Sequence, residues 1–194
     1  MLYSGAEAVL SSISFAGRKM LMKKRIAKKY REKILDEKLR KTRTKREVKL
    51  LNFVKKFGIR CPVVYYVGDD YFLMNRVNGK LLRDFLNAKN KKILKKIGEM
   101  ASKMHSVGVV HGDFTTANII VSAGTPVIID FGLGNFSNEI EEKAIDLLLM
   151  KRSLPFGFDI FISSYINSYP NKKLAEKIVK HISEIEKRAR YVQR

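Results

Sequence analysis

Residues 111–132 constrain this chain more than any other stretch. His111-Gly112-Asp113-Phe114-Thr115-Thr116-Ala117-Asn118 leads into Ile119-Ile120-Val121, then Ser122-Ala123-Gly124-Thr125-Pro126, then Val127-Ile128-Ile129 and Asp130-Phe131-Gly132. Two apolar runs joined by polar punctuation predict a β-hairpin. A hairpin of that length returns the chain to its start. Asp130 therefore comes back beside the loop that carries Asp113 and Asn118, five positions apart. Convergent oxygen donors suit a hard cation such as Mg²⁺ held against phosphates. Phosphoryl transfer asks for that clamp and for a carboxylate that orients the acceptor. Turn-capping Asp and Asn would account for the loop alone, but not for loop, hairpin and third acid together. His111 is read as a packing and hydrogen-bonding residue, and His105 and His181 as ordinary helix residues.

The stretch before residue 80 supplies strands and one long basic helix. Leu2-Tyr3 and Val9-Leu10 flank a tight turn, and Met20-Leu21-Met22 reads as a strand ending at Lys23. A helical segment is expected from about Ile26 to Phe57, with Val48, Leu51 and Val54 on one stripe and Gly58 as its stop. Val63 to Val67 and Tyr71 to Val77 flank Gly68-Asp69-Asp70 as a strand pair. Beyond residue 80 the pattern is mainly helical. Leu81–Leu86 is short, and Ile93, Ile97, Met100, Ala101 and Met104 form the stripe of a helix that stops at Gly108. Further helices are expected near 139–151, 158–168 and 174–190. A small β-rich lobe (1–78) and a larger α-rich lobe (79–194) make one α+β domain.

Charge narrows the partners. The 194 residues carry 39 Lys+Arg against 19 Asp+Glu, a net charge of +20. Fifteen of those cations lie between Arg18 and Arg46, with only Glu32, Asp36 and Glu37 against them. Such a run is either a solvated helix face or an anion-binding surface. A chain this basic repels cationic substrates and attracts phosphates and nucleic acid. At 45% hydrophobic residues it can still bury a core, which sets it apart from disordered basic chains. One cysteine, Cys61, rules out an internal disulfide framework and a Cys-rich zinc site. No apolar run is long enough to span a bilayer, and residues 1–10 do not read as a secretory signal. A cytoplasmic setting is expected.

The loop, the hairpin and the Asp-Phe-Gly that follows resemble the protein-kinase superfamily. That resemblance implies a two-lobed kinase-like fold, with Asp113 as catalytic base and Asn118 and Asp130 holding Mg²⁺. It implies that Lys23 contacts the ATP phosphates and that Glu47 is its ion-pair partner. Lys24 and Arg25 are adjacent alternatives to Lys23, and Thr44-x-x-Glu47 also reads as a capping box. The Ser4-Gly5-Ala6-Glu7 turn takes the place of the phosphate-covering loop, with one glycine where most kinases have three, and Met74 is placed at the nucleotide site. Only 13 residues separate Gly132 from Asp146, which looks like a buried aspartate. This leaves no room for a peptide-docking segment, and Gly112 stands where kinases usually have Arg.

Among small kinase-like families, aminoglycoside and choline phosphotransferases share HGD-x-x-x-x-N but take cationic substrates. RIO-type atypical kinases also lack the docking segment but are less similar in the motifs. Gly5-Ala6-Glu7-Ala8, Lys41-Thr42-Arg43-Thr44-x-x-Glu47, His111 to Asn118 and Ile129-Asp130-Phe131-Gly132-Leu133-Gly134 are more similar to the small atypical kinase of the KEOPS tRNA-modification complex, the piD261/PRPK family. That resemblance implies Mg²⁺-dependent ATP hydrolysis or Ser/Thr autophosphorylation beside a threonylcarbamoyl-transferase subunit and other KEOPS subunits. It also implies a basic C-terminal tail (Lys187, Arg188, Arg190, Arg194) close to tRNA. A non-catalytic scaffold that binds tRNA and partners, and a small-molecule phosphotransferase, remain the rival readings.

Overall fold

The computed structural model describes residues 3–5 and 7–192, with side chains at 5 and 7–189. An antiparallel five-stranded sheet comes first. Its strands are β1 (Tyr3–Ser4), β2 (Ala8–Phe15), β3 (Arg18–Arg25), β4 (Val64–Val67) and β5 (Tyr71–Asn75), in the spatial order β1-β2-β3-β5-β4. β2 and β3 pair over their full length from Ala8↔Arg25 to Phe15↔Arg18, through a two-residue turn at Ala16-Gly17. β3 is longer than the Met20–Met22 pattern implied. Lys23 therefore lies inside it, paired with Leu10 and Phe72. Cations at both ends hid the strand: Arg18, Lys19 and Lys24 are exposed, and Lys23 and Arg25 are buried as charged rather than apolar residues.

Helix α1 (Lys33–Lys56) crosses one face of this sheet. It starts seven residues later than Ile26. Glu32 caps it by accepting from the Ile34 and Leu35 amides at 3.0 and 2.8 Å, which satisfies two of the orphan donors of a helix start. Thr44 and Glu47 sit in its middle, so the capping-box alternative is excluded. Leu50, Leu51 and Val54 are buried on its inner face, and Gly58 follows its last turn with φ +72°.

The rest is mainly helical: α2 (Leu82–Phe85), α3 (Ile93–Ser106), α4 (Ile140–Ser153), α5 (Phe158–Ser168) and α6 (Lys172–Val192). α3 packs on α5 and α4 on α6. A Cβ at Gly98 would collide with the Phe161 carbonyl oxygen, so the α3–α5 crossing depends on glycine there. Short strands complete this half: β6 (Lys80–Leu81), β7 (Val109–Val110), β8 (Ile119–Ser122), β9 (Thr125–Ile128) and β10 (Asn135–Phe136). The predicted hairpin is β8–β9, turning at Ala123-Gly124, and β6 adds to its other edge. β9 is an edge strand, which is where Pro126 is tolerated. The β7–β10 pair was not legible in the sequence. Each strand is two residues long, and the partners lie on opposite sides of the hairpin. One continuous core runs from Leu50 and Phe72 through Leu94, Met104 and Phe131 to Tyr165 and Ile178.

Candidate active site

A cleft of about 400 Å³ opens between the sheet and the helical half. Lys23, Glu47, Asp113, Asn118 and Asp130 line it, together with Gly5, Glu7 and Met74. Ala6 lies outside the described residues, as does the Ser4 side chain. The two-strand return of β8–β9 brings Asp130 back beside Asn118. A 3.0 Å bond from the Asn118 amide to the Thr115 carbonyl and a 2.9 Å bond from the Ile129 amide to the Asn118 carbonyl close the arrangement.

Each oxygen donor is oriented by a second contact. Asn118 donates Nδ2 to Asp113 Oδ2 at 2.8 Å and to the Asp113 carbonyl at 2.9 Å. This fixes the amide so that its Oδ1 is the free end. Asp130 adopts φ +63°, a left-handed conformation tolerated by Asp. Its Oδ1 accepts from Lys23 Nζ at 2.6 Å and from the Gly132 amide at 3.1 Å. Among the described residues, Asp113 Oδ1, Asn118 Oδ1 and Asp130 Oδ2 have no protein donor. No cluster of three or more His, Cys, Asp or Glu capable of holding a metal ion occurs among them. One carboxylate, of Asp130, and one amide oxygen, of Asn118, match the sparse protein ligation of Mg²⁺, which keeps waters and phosphate oxygens as its other ligands. The donor set fits that ion.

A buried charge network forms the cleft's inner wall. Lys23 Nζ lies 2.7 Å from Glu47 Oε1, and Arg25 Nη2 lies 2.6 Å from Glu47 Oε2. Glu47 is 1% exposed. Burial of Lys23 works against its charge, but Glu47 and Asp130 outweigh burial and raise the ammonium above its ordinary range. Burial likewise opposes ionisation of Asp130. The Lys23 charge and hydrogen bond, the Gly132 amide and His111 together hold its carboxyl below the usual range. Both groups are therefore charged at neutral pH.

Arg25, offered by the sequence only as an alternative to Lys23, and Arg43, to which it gave no role in the site, also line the cleft. Arg25 sits two residues after Lys23 and so shares its face of the strand. Arg43 precedes Glu47 by one helical turn and pairs with Glu7 at 2.8 Å. That pair neutralises the acid in the turn between β1 and β2. Among the described residues the cleft holds four acids, of which Glu7, Glu47 and Asp130 are paired with cations and Asp113 is not. The cleft is thus not the acidic pocket that a cationic small-molecule substrate calls for.

The loop itself is anchored from below. Asp146 on α4 is fully buried and accepts from the His111 amide at 2.6 Å and the Gly112 amide at 2.9 Å. His105 approaches the same carboxylate through Nε2 at 3.3 Å, and its Nδ1 meets the Tyr165 hydroxyl at 3.0 Å. His105 is therefore part of the anchor rather than an isolated helix residue. His111 Nε2 lies 3.0 Å from the Ile129 carbonyl, while its Nδ1 accepts from the Asp113 amide at 3.3 Å. These bonds assign the proton to Nε2. Gly112 has φ +76°, and a Cβ there would meet the Leu133 carbonyl. The departure from Arg at this position follows from that close backbone approach.

The basic tail is not a separate tail up to residue 192, because α6 extends that far. Arg188 pairs with Glu141 at 2.7 Å and Lys187 is exposed. The Arg190 side chain and Arg194 lie outside the described residues.

The RIO domain family matches residues 10–148. The probable serine/threonine-protein kinase BUD32 homolog of Archaeoglobus fulgidus is 33% identical over 196 residues, covering 100% of this chain and 97% of that protein. The chain belongs to the BUD32 family of RIO-domain proteins. The RIO-type resemblance, weaker in the short motifs, thus extends from β2 into α4. A second relative is the probable bifunctional tRNA threonylcarbamoyladenosine biosynthesis protein of Methanosphaera stadtmanae. It is 41% identical over 97% of this chain, which spans only 36% of that relative's length. The Rio2 kinase of Chaetomium thermophilum, in its ADP/Mg²⁺-phosphoaspartate complex, superposes with a TM-score of 0.70 at 15% identity, covering 99% of this chain and 70% of that one. The fold is accordingly kinase-like, α+β, with a sheet region followed by a helical part. Among the described residues no helix is long and apolar enough to cross a membrane.

Proposed function

We propose that this chain is an Mg²⁺-dependent ATPase and atypical Ser/Thr kinase, capable of autophosphorylation, acting in the KEOPS-type modification of tRNA to threonylcarbamoyladenosine. The carrying observation is the convergence of Lys23, Asp113, Asn118 and Asp130 on one cleft. The relationship to a probable serine/threonine-protein kinase BUD32 homolog supports the kinase half of the reading, and that to bifunctional tRNA threonylcarbamoyladenosine biosynthesis proteins supports the tRNA half.

In this reading Asp113 presents its free Oδ1 to the acceptor, a water or a Ser/Thr hydroxyl, and orients it for attack. Asn118 holds Asp113 in place through Nδ2, and its Oδ1 together with Asp130 Oδ2 would hold Mg²⁺. Mg²⁺ when bound neutralises charge that develops on the transferred phosphoryl group. Lys23 supplies fixed positive charge to the phosphates, kept in position by Glu47. Gly5 and Glu7 cover the phosphate side, and Met74, with Leu10, Leu51 and Ile129, lines an apolar wall for the base. The domain divides into residues 1–78 and 79–194 around this cleft. Partners are the threonylcarbamoyl-transferase subunit, other KEOPS subunits and tRNA, in the cytoplasm.

The test is ATP turnover and autophosphorylation by Asp113→Asn, with and without the transferase and tRNA. A lost acceptor-orienting base costs about 10²–10⁴ in rate, with the fold retained. Full turnover by the variant overturns the assignment, and full tRNA modification by it favours a non-catalytic scaffold.

A further inference from the structure

We infer that a cationic track on the side of the molecule away from the cleft binds the phosphate backbone of an RNA. Three adjoining cavities make the track. The first, about 390 Å³, lies behind the connection between the two halves and is lined by Lys55, Arg60 and Arg76 with no acid. The second shares Arg60 and adds Lys96 and Lys103. The third shares Lys96 and adds Lys91, Lys92 and Lys95. Eight cations thus face one acid, Glu99.

The pattern follows from helix geometry. Lys92, Lys95, Lys96, Glu99 and Lys103 recur at three- and four-residue spacing, which stacks them along one face of α3. At about 1.5 Å per residue the stretch from Lys92 to Lys103 covers roughly 16 Å, enough to meet several successive phosphates. The stripe opposite, through Ile93, Ile97, Met100 and Met104, is the buried one. Arg60, Arg76 and Lys103 are exposed, and none of their side chains takes part in an ion pair or hydrogen bond to a described residue. Around the cleft and the start of α1, by contrast, Arg25, Arg40, Lys41 and Arg43 all pair with acids. Unneutralised cations in a continuous row are the footprint of a polyanion rather than of a single small anion. Lys55 Nζ and Lys96 Nζ each donate to a backbone carbonyl, of Cys61 and Gly124. Those bonds fix two of the charges at the track's walls.

This inference rests on the tRNA half of the proposed function and is independent of the ATP half. The experiment is a salt titration of unmodified tRNA binding to the full chain, comparing wild type with R60Q/R76Q/K103Q and with K33Q/K38Q/K45Q. The second variant removes the same charge from the exposed face of α1. ATP hydrolysis is measured on each preparation. Loss of three phosphate contacts should flatten the slope of log Kobs against log salt by about 2 to 3 and weaken binding at least ~10-fold near 0.1 M salt. The α1 variant should keep most of the wild-type slope, and hydrolysis should be unaltered in both. Equal losses in the two variants would reduce the effect to net charge and overturn the track. A wild-type slope in the track variant would overturn it too, leaving these cavities to an acidic protein surface. Displacement of tRNA by millimolar inorganic phosphate would replace the polyanion track with a small-anion site. If no preparation hydrolyses ATP but the track variant alone loses tRNA, the phosphotransferase reading fails and the track stands.

Discussion

Replacing Glu47 by Gln tests the charge network on which the cleft is built. The amide keeps the shape of the side chain and removes its charge. Lys23 at 9% and Arg25 at 5% side-chain exposure would then face each other with only Asp130 as counter-charge, and Asp130 bonds Lys23 alone. Glu47 accepts two charge-assisted bonds, at 2.7 and 2.6 Å. Removing one partner of a buried ion pair costs about 3–5 kcal/mol, because the remaining charges are left uncompensated out of water. The Gln carbonyl oxygen can still accept one of the two bonds, which places the expected loss near 3 kcal/mol. Small domains have roughly 5–15 kcal/mol in total, so the loss is a substantial share. For a chain of this size it lowers Tm by about 6–12 °C. The assay is urea denaturation with an unchanged m-value, repeated on the triple change Lys23→Met, Arg25→Leu, Glu47→Leu. Apolar replacement of the whole set should recover most of the loss, since desolvation of all three charges is then avoided. A Glu47→Gln loss below about 1 kcal/mol, or a triple variant no more stable than the single, would refute the claim that uncompensated burial governs this network.

Two further outcomes concern packing and pH. Gly98→Ala should destabilise by about 1–3 kcal/mol through overpacking against the Phe161 carbonyl, although Ala at an open helix interior gains ~1 kcal/mol over Gly; thermal melting reads the sign. Asp36 is nearly buried at the start of α1, and a hydrogen bond from Arg40, aided by the Lys28 amide and the Arg31 charge, holds its carboxyl below the ordinary range against the opposing effect of burial. Its contribution to stability is therefore present above the unfolded carboxyl's value of about 3.9 and is lost as pH falls through the lower folded value. Asp36→Asn should lower the urea midpoint at pH 7 and flatten its fall in acid, and an acid limb identical to wild type would refute the link.

Much of the cleft could be read from residue order because its parts are held by local rules. A loop, a hairpin and an acid just past its second strand dictate where Asp113, Asn118 and Asp130 meet, whatever the rest of the chain does. The helix stripes at Ile93–Met104 and Val48–Val54 were legible for the same reason. What was not legible depends on contacts between distant segments. β3 carries cations on both sides of Met20–Met22, so its apolar signal is limited to those residues although pairing with β2 extends it from Arg18 to Arg25. The β7–β10 pair has no pattern of its own. Arg25 and Arg43 matter only because α1 lies against β3, and His105 joins the Asp146 anchor only because α3, α4 and α5 meet beneath the loop.

Gly112 also has a bearing on control. In many protein kinases an arginine beside the catalytic aspartate waits for a phosphate on a separate segment, and that pairing orders the site. Here the equivalent backbone rests directly on the Leu133 carbonyl and is tied to Asp146 by two amide bonds. Its geometry is settled as the polypeptide folds, with no side chain left at that position to sense a modification. The loop is thereby held by backbone contacts alone at this position, through the Asp146 carboxylate beneath it.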